Sequence, residues 1–570
     1  MLERFVKSAV ESPKFWARRG VFALRERFYG SRVYGYLLNG RQPPFIAFTP
    51  EDPRQGSVDL GNELFRGVYR FAGETINAPN EAPWAVGGGS PDWQREAHGF
   101  GWLRHFEACG GEAAGRQVRL YVKDWLSRFD QWHPLAWEPA VVGRRVVSWT
   151  TASPTILAGN DVVFRSLVLN SLARQVRHLG RSAGDAPPGP DRTTAVIGYA
   201  VGTLALTEGD KPLGKALALV EDEITRQVLV DGGTITRNPS DLVFLLEDLV
   251  LLRDALTKSS SEIPMKLISA IDRLAPMIRF FRHGDGRLAL FNGGFEESLE
   301  PIAGILARAE APGKPVNNAS HSGFQRMKAG RALVLMDTGA PKVRYPESRH
   351  HAGLLSFEMS FGKDRLIVNC GASESRAGEL FDLARSTAAH STLTLNNTNA
   401  MDLRDHGGLP PLAPVVKVER HDEKGNVWVD ASHEGYRAQY GLIHRRRIYL
   451  GSGGGDFRGE DILTASGKPP PAPLPFDVRF HLHPGVDVSI LGDGQAALLR
   501  LGRGAGWTFK VRGGALKLDE SLYLGQRGQI RRAEQLVVSG AIDGDKATVN
   551  WSFTRIGGPG QASDAPEGEG

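Results

Sequence analysis

The sequence has almost no cysteine: Cys109 and Cys370 are the only two in 570 residues. They lie far apart along the chain, and neither belongs to a CxxC pair. A disulfide framework or a thiolate metal cluster needs several cysteines at short, regular spacing. The sequence therefore predicts two free thiols and excludes both of those classes of protein.

Long apolar runs are also missing. No stretch of about 18 apolar residues occurs, so the sequence predicts no membrane-spanning helix. The first residues, MLERFVKSAVESPKFWARRG, are interrupted by charges and lack the apolar core of a signal peptide. Their basic, amphipathic pattern leaves association with an anionic membrane surface open.

Neither sign of charge dominates strongly. Lys and Arg number 69 against 64 for Asp and Glu, which gives a formal net charge of +5 and a pI near 9.1. This small excess favours anionic partners such as nucleic acid, a membrane surface or an acidic polysaccharide. The basic residues are dispersed and form neither a zinc-finger pattern nor a long basic run, so the sequence predicts no nucleic-acid partner.

The first half of the chain has the pattern of a helical array. From about residue 60 to 310, apolar residues recur at three- and four-residue spacing, in segments that end at glycine or polar turns. Successive helical hairpins with short connections bury their faces against neighbours, as in a toroid or a solenoid. Because no fixed repeat length is visible, the pattern favours a closed α/α toroid.

The second half has the pattern of an antiparallel β-sandwich. After the linker-like APGKPVNNASHSG, short segments rich in β-branched and aromatic residues alternate with Gly, Asp and Asn turns. The fold class predicted for the whole chain is thus an N-terminal α/α toroid followed by a C-terminal antiparallel β-sandwich. We divide it into an N-terminal helical extension (1–59), the toroid (60–312), the sandwich (313–556) and a disordered tail (557–570).

A set of short motifs extends over both halves. The helical half contains DGGTITRNPSD and FFRHGDG, and the β half contains HHAGLLSFEM, RLIVNCG, RSTAAHSTLTLN, HRRRIYL, FHLHPG and ESLY. In combination they resemble the heparinase II/III-like family of polysaccharide lyases, over roughly residues 60 to 555. The resemblance implies an α/α toroid joined to an antiparallel β-sandwich, with the sugar chain bound between them.

The resemblance also implies β-elimination at an acidic polysaccharide. In that reaction the C5 proton of a uronate is removed and the 4-linked sugar is expelled. The proton is far too weakly acidic to leave unless an amide, a cation or a metal neutralises the developing charge. A base such as Tyr or His must reach the proton, and an acid must protonate the leaving oxygen. Basic side chains in the cleft hold the anionic polymer.

Two residues match catalytic positions of the family. Asn238 stands where the family places Asn or Ser before Pro, and the resemblance implies that it neutralises the uronate carboxylate. The residue types around Asn238 equally predict an ordinary helix N-cap, and the two roles are compatible. His351 matches the second histidine of the family's His-x-His-Ala-Asp pattern and is the best single catalytic candidate, with a polar residue at a strand entrance as the alternative. His350 is offset from the pattern and is expected to face solvent.

The resemblance raises a metal site as well. In some relatives a divalent metal is held by two histidines and an aspartate, and the corresponding set here is His351, Asn369 and His390. Asn369 replaces the carboxylate by a neutral amide, which removes fixed charge that would bind a cation. We therefore expect no required cofactor, with a divalent metal at these three residues as the alternative.

The chain departs from the family at the proton-transfer positions. Asp241 and Leu242 stand where Tyr and His often follow, and Phe280 and Phe281 occupy the segment in which a catalytic tyrosine is expected. A ring without a hydroxyl cannot carry a proton. Other candidates for the base, none supported by position, are His283, Tyr69 and Tyr345.

Arginine and tryptophan side chains supply candidate sugar contacts. Arginine pairs with carboxylate or sulfate, and tryptophan covers a sugar face. The candidates for substrate binding are Arg66, Trp102, Arg104, Arg145, Trp149 and Arg237. The alternative is core packing, because tryptophan at helical spacing is usually buried. His481 and His483 lie on one face of a predicted strand, and we expect them to be structural.

The predicted function is thus a lyase that cleaves an acidic, uronate-containing polysaccharide. The alternatives are a non-catalytic or remodelled glycan-binding protein that lost the tyrosine, and a hydrolase-like or structural envelope protein. The resemblance implies a bacterial cell-envelope or periplasmic location, and because the N-terminus shows no export signal, a cytoplasmic location is the alternative. The identity of the polysaccharide and the oligomeric state stay open.

Overall fold

The computed structural model describes residues 25–207, 209–341, 350–375, 378–403, 413–492 and 494–557. Helices dominate up to Arg308, and strands dominate from Asn318 onward. This order confirms the predicted fold class of a helical N-terminal half followed by antiparallel sheets. Both cysteines are free, as predicted. In the part of the chain that is described, no helix is long and apolar enough to cross a membrane.

The helical half is a closed arrangement of mostly short and medium helices. Its helical elements include α1 (Arg32–Leu37), α2 (Val58–Phe65), α3 (Pro91–Gly99), α4 (Leu103–Cys109), α5 (Gly111–Phe129), α6 (Pro139–Thr151), α7 (Ser153–Ile156), α8 (Val162–Ser182), α9 (Pro190–Ala205), α10 (Asp210–Gln227), α11 (Pro239–Lys258), α12 (Met265–Phe281) and α13 (Leu299–Arg308). A small hairpin, β1 (Val68–Phe71) with β2 (Glu74–Asn77), interrupts them. The sequence pattern did not predict this hairpin.

The central helices are buried on most of their surface. α9 packs against α6, α8, α10 and α11, and α11 packs against α12 and α13. The contact between α6 and α9 depends on glycine, because a Cβ on Gly143 would lie 2.4 Å from the carbonyl oxygen of Thr194. Helices this close and apolar derive their stability mainly from packing against neighbours.

The segment that precedes α2 contacts both α4 and α11. Arg54 is nearly buried, and its Nε lies 3.0 Å from Oε2 of Glu247 on α11. Nη2 of Arg54 also donates to Asp248, and Lys258 at the end of α11 pairs with Glu51 at 2.5 Å. On the other side, a Cβ on Gly56 would lie 2.0 Å from the carbonyl oxygen of Arg104 on α4. This segment therefore closes the gap between α4 and α11.

The β half consists of two antiparallel sheets. The first sheet has eight strands in the order β14-β15-β16-β19-β12-β11-β10-β9, and the second has the order β17-β18-β13-β7-β6-β5-β4-β3, with β8 paired to β13. The strands are β3 (Asn318–Ala319), β4 (Phe324–Ala329), β5 (Ala332–Asp337), β6 (Phe357–Phe361), β7 (Asp364–Val368), β8 (Leu393–Leu395), β9 (Val416–Glu423), β10 (Asn426–His433), β11 (Leu442–Leu450), β12 (Asp456–Ala465), β13 (Leu474–Leu482), β14 (Val486–Ile490), β15 (Ala496–Leu501), β16 (Gly506–Arg512), β17 (Ala515–Tyr523), β18 (Arg531–Ile542) and β19 (Lys546–Arg555). Two short helices, α14 (Glu379–Arg385) and α15 (Arg437–Tyr440), lie between strands.

The core of the sandwich is aromatic and contains one buried polar network. The ring of Phe357 stacks on Trp551, with centroids 5.5 Å apart. Asp461, fully buried, accepts hydrogen bonds from Arg446, His444 and Trp551. Arg446 also donates to the carbonyl oxygens of Leu355 and Ser391. These bonds fix the loops that carry the site residues described below, because a satisfied buried network rigidifies its neighbours.

Candidate functional site

Asn238 and His351 converge on one small space between the helical half and the β half. An ideal Cβ on Gly293 would lie 3.4 Å from Nε2 of His351 and 3.6 Å from Nδ2 of Asn238. Gly293 follows α12 and has a φ of +86°, in the region that favours glycine. The two predicted catalytic side chains therefore both lie beside Gly293, around the position that a Cβ of this residue would occupy.

The amide of Asn238 is oriented by the helix that it caps. Its Oδ1 accepts the backbone N–H of Ser240 at 2.8 Å, and Pro239 occupies the first turn of α11. This is an N-cap of the kind that the residue types predict. Because the oxygen is held by the helix, the Nδ2 group is the one that faces Gly293 and His351.

His351 is part of a histidine pair with a defined hydrogen-bond order. Nδ1 of His390 donates to the carbonyl oxygen of Ser386 at 2.7 Å, so Nε2 of a neutral His390 is an acceptor. Nδ1 of His351 lies 3.3 Å from that Nε2 and donates to it. Burial, followed by the field of His390, holds the pKa of His351 well below its usual value, and burial lowers the pKa of His390 to about 4. Both rings are thus neutral at pH 7, and Nε2 is the ring nitrogen of His351 that lies nearer to Gly293.

The space around these two side chains is nearly closed. Asn238 is 9% exposed and His351 is 6% exposed. The loop that covers them runs through Asn292 and Gly293, and an ideal Cβ on Gly294 would lie 3.2 Å from Oδ1 of Asn238. Nδ2 of Asn292 donates to the carbonyl oxygen of Arg237 at 3.3 Å and to Asp337 at 3.4 Å. Both side chains therefore present only a small surface outside the protein interior.

Arg237, a predicted substrate contact, is engaged in holding the two halves together. Its guanidinium donates to Asp337 on β5 and, at 2.8 Å, to the carbonyl oxygen of Ser322. It also lies over the ring of Phe324, 4.7 Å from the centroid. Burial raises the pKa of Asp337, and Arg237 acts against that shift. The side chains of Arg237 and Asp337 are 2% and 4% exposed, so both are interior groups.

A second bridge between the halves contains His283 and Asn369. Nε2 of His283 lies 2.9 Å from Oε2 of Glu358, and its Nδ1 lies 2.8 Å from the hydroxyl of Ser360. Asn369 donates to Glu358 at 3.4 Å through its side chain. Burial is the largest influence on His283 and lowers its pKa. His283 is thus a buried link between α12 and β6 with no surface for a substrate.

The predicted metal set comes together only in part. His351 and His390 are adjacent, whereas both polar atoms of Asn369 are already used, since its Oδ1 accepts the N–H of Ser391 at 3.0 Å and its Nδ2 donates to Glu358. Within the described ranges no group of three or more His, Cys, Asp and Glu side chains could hold a metal ion. Two imidazoles and an amide whose oxygen and nitrogen are both hydrogen-bonded do not fit a divalent cation. We therefore assign no catalytic step to a metal ion.

The other predicted substrate contacts lie away from this space. Arg145 and Trp149 are fully buried, and Trp102 is 5% exposed. Arg145 donates to Gln175 and to the carbonyl oxygens of His98 and Ala136, so these residues pack within the helical half. Arg104 is partly exposed beside the charges of Asp52 and Arg54, and Arg66 is exposed at the end of α2. The structure does not bring them to Asn238 and His351.

The candidate bases are also placed elsewhere. Tyr69 is fully buried in the helical half and its hydroxyl lies 3.0 Å from that of Tyr121. Tyr345 lies outside the described residues. The expectation that His350 faces solvent is wrong, because this residue is only 6% exposed. Arg385 donates to the carbonyl oxygen of His350 at 3.0 Å and holds this part of the loop in the interior.

Sequence reasoning missed a tyrosine close to the same loop. The hydroxyl of Tyr523 donates to Glu296, three residues beyond Gly293. His483 lies 3.8 Å from the same carboxylate, and its ring is 5.1 Å from that of Tyr523. Hydrogen bonds from His483, Tyr523 and Arg287 hold the pKa of Glu296 well below its usual value, although burial, the largest influence, opposes them. The ESLY motif, in which Tyr523 lies, was the signal in the sequence.

Comparisons with known proteins agree with this architecture. The family model described as "Heparinase II/III-like, C-terminal" matches residues 311–552. FtsZ-localized protein C of Caulobacter vibrioides (strain NA1000 / CB15N) is 32% identical over 554 residues, which cover 94% of each chain. The solved structure of heparinase III matches 97% of this chain and 91% of its own with a TM-score of 0.70 at 14% identity.

A second solved structure leads to the same fold. The heparan sulfate lyase HepC of Pedobacter heparinus matches 97% of this chain and 90% of its own, with a TM-score of 0.59 at 14% identity. At such low identity these two structures establish the fold alone. Together with the family model and the relative that matches almost the whole chain, they identify the protein as a member of the heparinase II/III-like family.

Proposed function

We propose that this protein is a polysaccharide lyase-like enzyme that cleaves an acidic, uronate-containing polysaccharide by β-elimination. The observation that carries the proposal is that Nε2 of His351 and Nδ2 of Asn238 face the same position beside Gly293. β-Elimination needs a base and a carboxylate-binding group on one sugar ring, and these two side chains are of the required types.

The hydrogen-bond order of the histidine pair suits His351 for proton transfer. The imidazole is neutral, so its Nε2 beside Gly293 is suited to accept the C5 proton of a uronate and then to return that proton to the departing 4-oxygen as the C4–O bond breaks. The charge that forms on His351 is shared with His390, whose Nε2 accepts from it and whose Nδ1 donates to Ser386. The amide N–H group of Asn238 donates to the uronate carboxylate and stabilises the negative charge that develops there.

The near burial of both side chains favours a second candidate, a glycan-binding protein without catalysis. Phe280 and Phe281 carry no hydroxyl, and the hydroxyls of Tyr69 and Tyr523 are bonded to other groups. In this case the fold and the space beside Gly293 are kept, while proton transfer is lost.

An absorbance assay near 232 nm distinguishes the two candidates, because elimination creates a conjugated unsaturated uronate. We expect a signal from at least one of heparan-type, alginate-type and bacterial exopolysaccharide substrates. His351→Ala and Asn238→Ala should each lower kcat/KM at least 100-fold, in line with the typical loss of a general base or a charge-stabilising group.

His421→Ala is the matched control, because His421 is an exposed histidine on β9 outside the site. It should keep the activity of the unchanged protein. Binding of a polymer without any 232 nm signal would transfer the proposal to the non-catalytic candidate. Equal activity of His351→Ala and the unchanged protein would remove His351 from the mechanism.

We also propose that the protein localises with FtsZ, as the name of its Caulobacter relative states for that protein. The support is 32% identity over 94% of both chains. Co-sedimentation with purified FtsZ polymers tests the proposal: we expect the protein in the polymer pellet and in the supernatant when FtsZ is omitted. A chain that stays soluble beside polymerised FtsZ would contradict direct association. Cell fractionation separately distinguishes an envelope or periplasmic location from a cytoplasmic one.

A further inference from the structure

The outer face of the first β-sheet carries a cavity that shares no lining residue with the proposed active site. It has a volume of about 390 Å³ and is lined by side chains of three neighbouring strands, β9, β10 and β11. These side chains are Glu419, His421, Glu423, Trp428, Asp430 and Arg447. Its size is within the range of small-molecule sites, which is roughly 300–1,000 Å³.

The strand register arranges the lining groups in two rows across the sheet. His421 is paired with Trp428, which is paired with Tyr449, and this forms an aromatic row. Glu419 is paired with Asp430, which is paired with Arg447, and this forms a charged row. Side chains opposite each other on one face of a sheet are direct neighbours, so the two rows form one continuous surface.

One set of these groups is fixed by bonds within the sheet. The hydroxyl of Tyr449 donates to Asn426 at 3.0 Å, and its ring packs on Trp428 with centroids 5.0 Å apart. Asp430 accepts hydrogen bonds from Arg445 and Arg447, and Arg447 also donates to Glu460 at 2.8 Å. The platform is therefore preorganised on rigid strands, as binding sites require.

A second set has no hydrogen-bond partner among the described residues. It consists of the carboxylates of Glu419 and Glu423, the imidazole of His421 and the indole N–H of Trp428. Trp428 is 36% exposed, which is unusual for this residue type. The edge strand that carries three of these groups is itself anchored, because Arg420 turns inward and donates to the carbonyl oxygens of Asn317 and Arg326, both at 3.1 Å. The cavity thus combines an aromatic face with unpaired acceptors.

The charges determine which ligand fits. Three carboxylates and one guanidinium line the cavity, and that guanidinium is already paired with two carboxylates. Arg445 beside the cavity pairs with Asp430 and also attracts Glu419, so Glu423 is the carboxylate farthest from a compensating charge. An acidic polysaccharide would be repelled by the surplus negative charge. An amino sugar meets both parts of the surface: its ammonium group pairs with Glu419 or Glu423, and its ring lies against Trp428, where a nearby cation is also attracted to the indole.

From this geometry we infer that the outer face of the β9–β10–β11 sheet is a second glycan-binding site, specific for chains of hexosamine with free amino groups. The free groups are side chains on the face of the sheet. An extended basic peptide would instead draw its affinity from backbone groups at the sheet edge. The site is independent of His351 and Asn238 and has the opposite charge preference to the proposed substrate.

Isothermal titration calorimetry of the full chain with a glucosamine hexamer tests the inference. We expect binding, with Trp428→Ala at least tenfold weaker because the aromatic face is lost. The Glu419→Gln, Glu423→Gln double variant should also bind at least tenfold more weakly and should lose the preference for glucosamine over the N-acetylglucosamine hexamer. Unchanged affinity in either variant would overturn the site.

Two control variants and two competing ligands test whether binding is specific to this surface. Ile490→Ala removes a side chain that is also 36% exposed, at the opposite edge of the same sheet, and should bind within twofold of the unchanged protein. His351→Ala should also bind unchanged, which separates this site from the proposed active site. A lysine- and arginine-rich peptide that binds more tightly than the glucosamine hexamer, or heparan sulfate that competes with the hexamer, would contradict the assignment. Far-UV circular dichroism confirms that each variant is folded.

Discussion

Asn238 performs two tasks with the two ends of one amide. Its oxygen caps α11, and its nitrogen lies beside Gly293, near the same position as Nε2 of His351. The cap holds the side chain in one orientation, so the start of the helix preorganises the group that we assign to binding the uronate carboxylate.

The neighbouring Arg237, by contrast, has a structural role. Its charge suggested a contact with an acidic sugar. The guanidinium instead pairs with Asp337 and donates to backbone carbonyl oxygens in the interior.

Arg237→Leu tests that structural assignment. It leaves the buried carboxylate of Asp337 without its ion-pair partner, and breaking a buried pair typically costs about 3–5 kcal/mol. We expect a loss of that size in the free energy of unfolding, measured by urea titration.

Arg447→Leu is the control for the loss of an arginine. Arg447 is 46% exposed and pairs with Asp430 and Glu460 on the sheet surface, so its removal should cost at most about 1 kcal/mol. If both variants lost the same stability, the Arg237 to Asp337 pair would not be the link between the two halves that the structure indicates.

At the scale of elements, the sequence predicted what local patterns encode. The Asn238 and Pro239 pair before an apolar run indicated the start of α11, and alternating segments indicated the strands. It did not predict the β1–β2 hairpin, or the bridge from His283 to Glu358, whose partners are 75 residues apart. The sequence did not predict the role of Gly293 either. A glycine has no functional side chain, and its role comes only from the two side chains that lie beside it. Contacts between distant elements follow from tertiary packing, which one sequence does not display.

The molecule as a whole buries neutral histidines in both halves. Burial lowers the pKa of His98, His178 and His481 to about 3 and that of His390 to about 4. In His178 the Nε2 group donates to the carbonyl oxygen of Trp137 at 3.0 Å, and Nδ1 accepts from the hydroxyl of Tyr34 at 2.6 Å. A second proton would remove that acceptor and place a charge in the core.

Acid should therefore destabilise the fold through these histidines as the pH falls below 6.5. A histidine with a folded pKa below its unfolded value of 6.5 binds more protons when unfolded, so its contribution to stability is complete above pH 6.5 and is lost as pH falls toward the folded pKa. Each such histidine lowers the free energy of unfolding by about 1 kcal/mol between pH 7.5 and pH 5.5. We expect the free energy of unfolding to be lower at pH 5.5 than at pH 7.5, as measured by urea titration at both values.

His178→Gln isolates the contribution of one ring. Glu223, Glu247 and Asp337 have raised pKa values and act in the opposite sense, so the total for the unchanged protein is a balance. The variant is less stable at pH 7.5 but should lose about 1 kcal/mol less than the unchanged protein between pH 7.5 and pH 5.5, since it has one proton fewer to bind on unfolding. An equal pH dependence in His178→Gln and the unchanged protein would mean that His178 is already protonated, or exposed, in the folded state.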